Sequence, residues 1–259
     1  MVHYAYQLSA SRKFGPIRET LSMVREFGYR GVEGYTSLFQ DPAMVDRIDI
    51  GMGASGLVMR SCQVSFEELK QRPGRLIDIA HHLGILTYFV SQVPLSQRPY
   101  NSDGWQAFSA ELKRSAGPLR AVGIAVGWHN YDYEFVALEN ERKPIEILLE
   151  SDQALVWQLD IGWLDEAGED PLSWMARYRD RITSVHMRDR SVPGEGLEDD
   201  GWADVGHGTL AWPSLLAAMN RIGVVQRVIA HENPSDDRRF AARSISAMKS
   251  MERSLAGAA

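Results

Sequence analysis

Four apolar runs in this chain each break off in side chains that can bind a cation or move a proton. The run Gly123-Ile124-Ala125-Val126-Gly127-Trp128 ends in His129 and Asn130, with Asp132 and Glu134 close behind. Val156-Trp157-Gln158-Leu159 ends in Asp160, Ser184-Val185 in His186 followed by Arg188 and Asp189, and Val228-Ile229-Ala230 in His231 and Glu232. Short apolar runs of this kind look like strands that deliver chemistry at their tips. Side chains alternate along a strand, so Asp160 shares a side with Gln158, and His186 with Ser184 and Arg188.

If these strands are parallel and end on one rim, Asp160, His186 and Glu232 meet there, together with Glu134 or His129. One imidazole with two or three carboxylates suits Mn2+, Co2+, Mg2+ or Zn2+, and Mn2+ is the first expectation. Plainer readings stand beside this one. His129 serves more simply as a structural or catalytic histidine than as a ligand, Glu134 as a solvated loop charge, and His186 as a partner of Asp189. Asp160 is harder to dismiss, because a carboxylate at the end of a buried strand needs compensation.

The elements that must position these residues alternate along the whole chain. Strand-like runs fall at Val2–Leu8, Gly31–Tyr35, Val58–Val64, Thr87–Val93, Gly123–His129, Leu155–Asp160, Thr183–Met187 and Gln226–Glu232. Helical periodicity lies between and after them, at Ile17–Phe27, Pro42–Met52, Phe66–Leu83, Gly104–Ala121, Pro144–Leu149, Pro171–Tyr178, Pro213–Ile222 and Asp236–Leu255. Glycine follows several of these helices (Gly28, Gly84, Gly123 and Gly223), which suits a left-handed C-terminal cap. Eight strand–helix units in 259 residues predict an α/β fold, a single (β/α)8 TIM barrel forming one domain over residues 1–259. The longest irregular stretch, Arg190 to Leu210, then belongs on the active face.

Composition narrows the function classes. With 44% hydrophobic and 24% charged residues the chain can fill a large core, and its net charge of −6 speaks against a nonspecific nucleic-acid binder. The single cysteine, Cys62, excludes an intramolecular disulfide and any multi-cysteine zinc cluster. Met1 to Phe14 contains no apolar signal segment, and nowhere do about 18 uncharged apolar residues run together. The expected location is the cytoplasm, with no membrane partner; a homo-oligomer stays open.

Taken together, the motifs resemble a known family. Trp128-His129-Asn130-Tyr131-Asp132-Tyr133-Glu134-Phe135 is similar to the H-N-H-D-F-E-F motif of xylose-isomerase-like sugar phosphate isomerases/epimerases. Gln158-Leu159-Asp160-Ile161-Gly162-Trp163, continuing to Ala167-Gly168-Glu169-Asp170-Pro171, resembles that family's Q-L-D-x-x-W…A-G-x-D-P block. His186-Met187-Arg188-Asp189 resembles its H-x-K-D strand end, and Gly206-His207-Gly208 its G-x-G loop; the likeness runs from Gly31-Val32-Glu33 onward. It implies a TIM barrel with one divalent metal at the C-terminal rim. The ligands it implies are Glu134, Asp160, His186 and Glu232, with His129 as an alternative to Glu134. The chain departs from the pattern at Ala230, where an acidic residue is common, at Gln63 and Tyr131, where histidines are common, and at Arg188, where lysine is common.

The resulting expectation is a metal-dependent isomerase or epimerase of a sugar, keto-sugar or related polyol, working by proton transfer next to a carbonyl. Its catalytic residues are expected to be His129, Glu134 and Arg188, and its substrate-binding residues Glu33, Gln63, Trp163 and Trp202. Trp105, Trp128 and Trp157 also compete for a place in the sugar pocket. In the acidic loop from Glu195 to Asp204, the carboxylates could accept sugar hydroxyls, favouring an unphosphorylated substrate. Alternatives are a keto-sugar dehydratase or lyase on the same site, a noncatalytic sugar-binding barrel, and an abasic-site endonuclease.

Overall fold

Eight parallel strands close into a barrel in the computed structural model, which describes residues 3–257. In chain order these are β1 (His3–Gln7), β2 (Gly31–Tyr35), β3 (Val58–Val64), β4 (Thr87–Ser91), β5 (Ala125–His129), β6 (Val156–Asp160) and β7 (Ile182–Met187), with β10 (Gln226–Ile229) last. Each pairs with its sequence neighbour, and β1 closes the ring by pairing with both β2 and β10. A two-stranded antiparallel ribbon, β8 (Asp189–Arg190) and β9 (Trp202–Ala203), rises from the end of β7. The predicted (β/α)8 architecture is the one observed.

Among the described residues ten α-helices accompany the barrel: α1 (Ile17–Glu26), α2 (Pro42–Ser55), α3 (Phe66–Gln71), α4 (Pro73–Leu83), α5 (Ser102–Ala121), α6 (Pro144–Ser151), α7 (Ile161–Glu166), α8 (Pro171–Arg177), α9 (Trp212–Ile222) and α10 (Asp237–Gly257). Their ends follow local chemistry. Asp41 caps α2 by accepting from Ala43 N, Pro42 stands in its first turn, and Gly56 ends it in the left-handed conformation.

Several sequence expectations shift in detail, many strand and helix ends by one or two residues. The helix expected over Phe66–Leu83 is two helices, because Pro73 cannot continue a helix and Arg72 leaves helical geometry at φ −131°. The last strand stops at Ile229 rather than Glu232, so His231 and Glu232 lie in a loop. The first begins at His3; the expected Val2 lies outside the described residues.

Close packing between strands is visible at Gly127, where a Cβ would meet the Phe89 ring at 2.6 Å and the Val156 carbonyl at 2.7 Å. Only glycine admits that approach. No helix among the described residues is long and apolar enough to cross a membrane.

Candidate active site at the barrel rim

Register brings the polar strand tips together. Asp160 pairs with His186 across β6 and β7, His129 with Gln158 across β5 and β6, and Glu33 with Ser61 across β2 and β3. Glu33, His129, Asp160, His186 and Arg188 are all fully buried or within 1% of it. Such a concentration of buried charge persists only when every member is paired.

The centre is a triangle of ligand-type atoms. His129 Nε2 lies 3.0 Å from His186 Nδ1 and 3.3 Å from Asp160 Oδ2, and the third edge, His186 Nδ1 to Asp160 Oδ2, measures 3.6 Å. Zinc-type ions hold nitrogen and oxygen ligands at roughly 2.0–2.2 Å, which spaces tetrahedral ligands about 3.4 Å apart. The triangle therefore has the size a divalent cation requires, and these three residues could hold one. The other ring nitrogen of His186, Nε2, meets Glu33 Oε1 at 2.5 Å. A carboxylate on the far nitrogen is the support that fixes the tautomer of a metal-binding histidine.

Glu33 is itself held by hydrogen bonds from Ser61 Oγ at 2.5 Å and from Gln158 Nε2 at 2.6 Å; Gln158 Nε2 also donates to Ser184 Oγ at 3.0 Å. Gln63 extends the chain outward, accepting from Gln7 at 3.4 Å and donating to Gln158 at 3.5 Å. Asp160 caps α7 through Trp163 N at 3.0 Å and accepts from Arg188 Nε at 3.0 Å. Asn130 locks the two strand tips, accepting from Asp160 N and Trp157 Nε1 and donating to the Asp160 carbonyl.

The electrostatics follow from these contacts. Burial alone would strip the proton from His186, but the carboxylates of Glu33 and Asp160 hold its pKa up at about 9. Burial likewise opposes the charge on Asp160, yet Arg188, His129 and His186 hold its carboxyl well below the usual range. For His129 burial prevails over the neighbouring Asp160 carboxylate and holds the imidazole's pKa below its usual value.

The other expected site residues fall in several places. Glu134 does not join the triangle: its carboxyl accepts from Trp128 Nε1 at 3.1 Å and from Tyr131 N at 2.9 Å, and burial pushes its pKa up to about 7. Glu232, half-exposed, faces Arg188 Nη2 at 3.0 Å rather than the triangle. Trp163 and Trp202 stand with ring centroids 4.8 Å apart, flanking the Arg188 guanidinium. Trp105, Trp128 and Trp157 pack in aromatic clusters of the core. Asp189 does not pair with His186; it accepts from Gly206 N, Gly208 N, Leu210 N and Trp212 Nε1, pinning the glycine-rich loop. In that loop Asp199 and Asp204 pair with Arg239, and Asp204 also with Arg243.

The supporting set Ser61, Gln158, Ser184 and Asn130 drew no site assignment from the sequence. The signal was present for three of them, since polar residues at every second position on a buried strand point into the barrel. A cavity of about 820 Å3 opens over the tips of β2 to β4, with Tyr35, Gln63, Ser91 and Gln92 in its wall. Gln63 thus links open space to the buried centre.

No protein-family model matches the chain. Among curated proteins, an inosose dehydratase of Lacticaseibacillus casei is 29% identical over 90 residues, which is 35% of this chain and 30% of that protein. The chain thus matches less than a third of that relative's length. Among solved structures, a sugar phosphate isomerase/epimerase from Parabacteroides distasonis superposes with a TM-score of 0.77 at 18% identity, covering 95% of this chain and 92% of its own. The IolI protein with a bound zinc atom superposes at 0.73 with 14% identity, covering 98% of each chain. In its closed eight-stranded barrel and in these superpositions, the chain has the fold of the xylose-isomerase-like TIM barrels.

Proposed function

We propose that the protein is a divalent-metal-dependent enzyme that moves a proton next to the carbonyl of a sugar, keto-sugar or related polyol, as an isomerase or epimerase. The observation that carries this reading is the buried triangle of His129 Nε2, Asp160 Oδ2 and His186 Nδ1, backed by Glu33. The resemblance to sugar phosphate isomerases/epimerases and the superposed fold support it.

In this proposal His129, Asp160 and His186 would hold the cation, which would supply positive charge where negative charge develops on the substrate oxygens. Manganese is the proposed ion; a zinc atom in one structural neighbour makes zinc the rival. Glu33 and Gln158 keep the His186 ring in place. Arg188 presents its terminal N–H groups to a substrate oxygen and keeps it in one geometry. Glu232, a half-exposed carboxylate, pairs with Arg188 from the rim. Substrate enters along the cavity that reaches Gln63.

The partial match to an inosose dehydratase favours a second reading on the same site. There abstraction of the α-proton is followed by cleavage of the C–O bond one carbon further on, the hydroxyl taking up a proton and leaving as water, so that an unsaturated ketone remains. A panel of keto-sugars and keto-polyols, followed by NMR in deuterated water, separates the two. Epimerisation exchanges the α-hydrogen with solvent, whereas dehydration builds a vinylic signal. Chelation should abolish turnover and Mn2+ or Zn2+ should restore it; full turnover by metal-free protein would overturn the metal-dependent reading.

A further inference from the structure

A buried guanidinium with idle N–H groups is short of a partner. Arg188 is 1% exposed, and its Nε donates to Asp160 Oδ2 at 3.0 Å. Its Nη1 has no acceptor, and its Nη2, though 3.0 Å from Glu232 Oε1, is not aligned to donate. The indole rings of Trp163 and Trp202 shield it, with centroids 5.8 and 5.1 Å from the guanidinium carbon. Trp163 Nε1 also lacks a partner, as does Nε2 of His231, whose imidazole burial and Arg188 together hold neutral, with a pKa of about 3. Buried donors are almost always satisfied, so this set calls for oxygen atoms.

Glu232 differs from every other charged group around Arg188. Its side chain is 40% exposed and reaches the guanidinium from the rim, while Asp160, on the other side, is fully buried. The Glu232 main chain is tied down independently, its carbonyl accepting from Arg12 and its neighbour Asn233 from Lys13. The carboxylate can therefore leave Arg188 for water without moving the loop or stranding its own charge.

We propose that Arg188 is a carboxylate-recognition site and that Glu232 is its placeholder. A sugar acid or polyol acid sets its carboxylate against Nη1 and Nη2 while Glu232 turns outward. The two terminal nitrogens form a planar fork that matches the two coplanar oxygens of a carboxylate. The exchange replaces one carboxylate with another and leaves the local charge unchanged. A phosphate dianion would add a second negative charge beside the Asp160 and Glu33 carboxylates. A neutral hydroxyl would leave the charge that Glu232 vacates unreplaced. This inference rests on the proposed reading that the cluster is the active site, and it names the class of substrate.

The test compares one sugar with three groups at its sixth carbon: glucose, glucuronate and glucose 6-phosphate, each titrated calorimetrically into the purified protein with and without added Mn2+. Glucuronate is expected to bind about tenfold more tightly than the other two, a difference of about 1.4 kcal/mol. Glu232→Gln should tighten glucuronate about a further tenfold and leave glucose unchanged. Arg188→Lys keeps the charge but loses the fork and should abolish the preference; if circular dichroism shows that this variant is unfolded, Glu232→Gln decides alone. Equal binding of glucuronate and glucose, a preference for the phosphate, or weaker glucuronate binding by Glu232→Gln would each overturn the proposal. Because the readout is binding, a protein that turns over no sugar yet keeps the preference would refute the catalytic reading and leave this one standing.

Discussion

Arg188 and Asp189 are neighbours in sequence, and both are buried, yet they sit in opposite kinds of polar environment. Asp189 is saturated: backbone N–H groups of Arg190, Gly206, Gly208 and Leu210 and the Trp212 indole all donate to it, at 2.7–3.2 Å. Arg188 keeps two terminal nitrogens without partners, and His129, whose Nε2 faces the same Asp160, has its Nδ1 likewise unpartnered. A saturated buried charge organises its own chain, here by folding the loop back against the end of β7. An unsaturated one is complete only with something else bound.

That contrast breaks most readily at Asp189. Asp189→Ala leaves five donors without their acceptor and should lower stability by about 3–5 kcal/mol, with protease cuts concentrated between Arg190 and Leu210. A loop that stays intact in limited proteolysis would mean that the network is not what pins it. On the unsaturated side, Asp160→Asn keeps the cap on Trp163 N but removes the central charge. Turnover and metal content should both fall, turnover by roughly 10²–10³-fold, with the circular dichroism of wild type. Unchanged metal content by mass spectrometry would remove Asp160 from the ligand set.

Glu134 tests a third case, a carboxyl with two donors that burial nevertheless holds near neutrality. Its pKa of about 7 in the folded protein lies above the usual 4.5 of the free side chain, so folding favours the protonated form. Stability from this group is fully present below about pH 4.5 and is lost as pH rises through 7, by an amount of the order of 3 kcal/mol. Urea denaturation of wild type from pH 5 to 8 should show that decline, and Glu134→Gln should flatten it. An identical slope in both proteins would mean that Glu134 is ionised throughout.

The smallest expected effect belongs to Gly162. A Cβ there would meet Cγ, Cβ and Cδ of Arg188 at 2.8–2.9 Å, so Gly162→Ala must push the arginine stem aside. Binding and turnover of substrate should weaken by about tenfold while the melting temperature hardly moves. A fall in stability without loss of binding would place Arg188 with Asp189, among the groups that only hold the chain together.

Much of the fold was readable in the sequence. Period-2 apolar runs and glycine-capped helices are local signals, and they placed β2 and β3 at their observed ends, Gly31–Tyr35 and Val58–Val64. The same locality explains the misses. Pro73 splits a helix whose periodicity continues across it, and His231 and Glu232 follow an apolar run that stops pairing at Ile229. The type and side of Asp160, His186 and Arg188 were equally legible, because alternation along a strand is a property of the chain alone.

What those side chains face was not. Sequence determined that carboxylates and imidazoles would crowd the strand tips. Tertiary structure decided that Glu33, 153 residues from His186, is the carboxylate on its ring, that Glu134 turns to Trp128, and that Arg188 stands between Asp160 and Glu232. The physical reason is that partner choice depends on barrel register, on loop path and on which donors are cut off from water. Each of these is fixed only when all eight strands have closed.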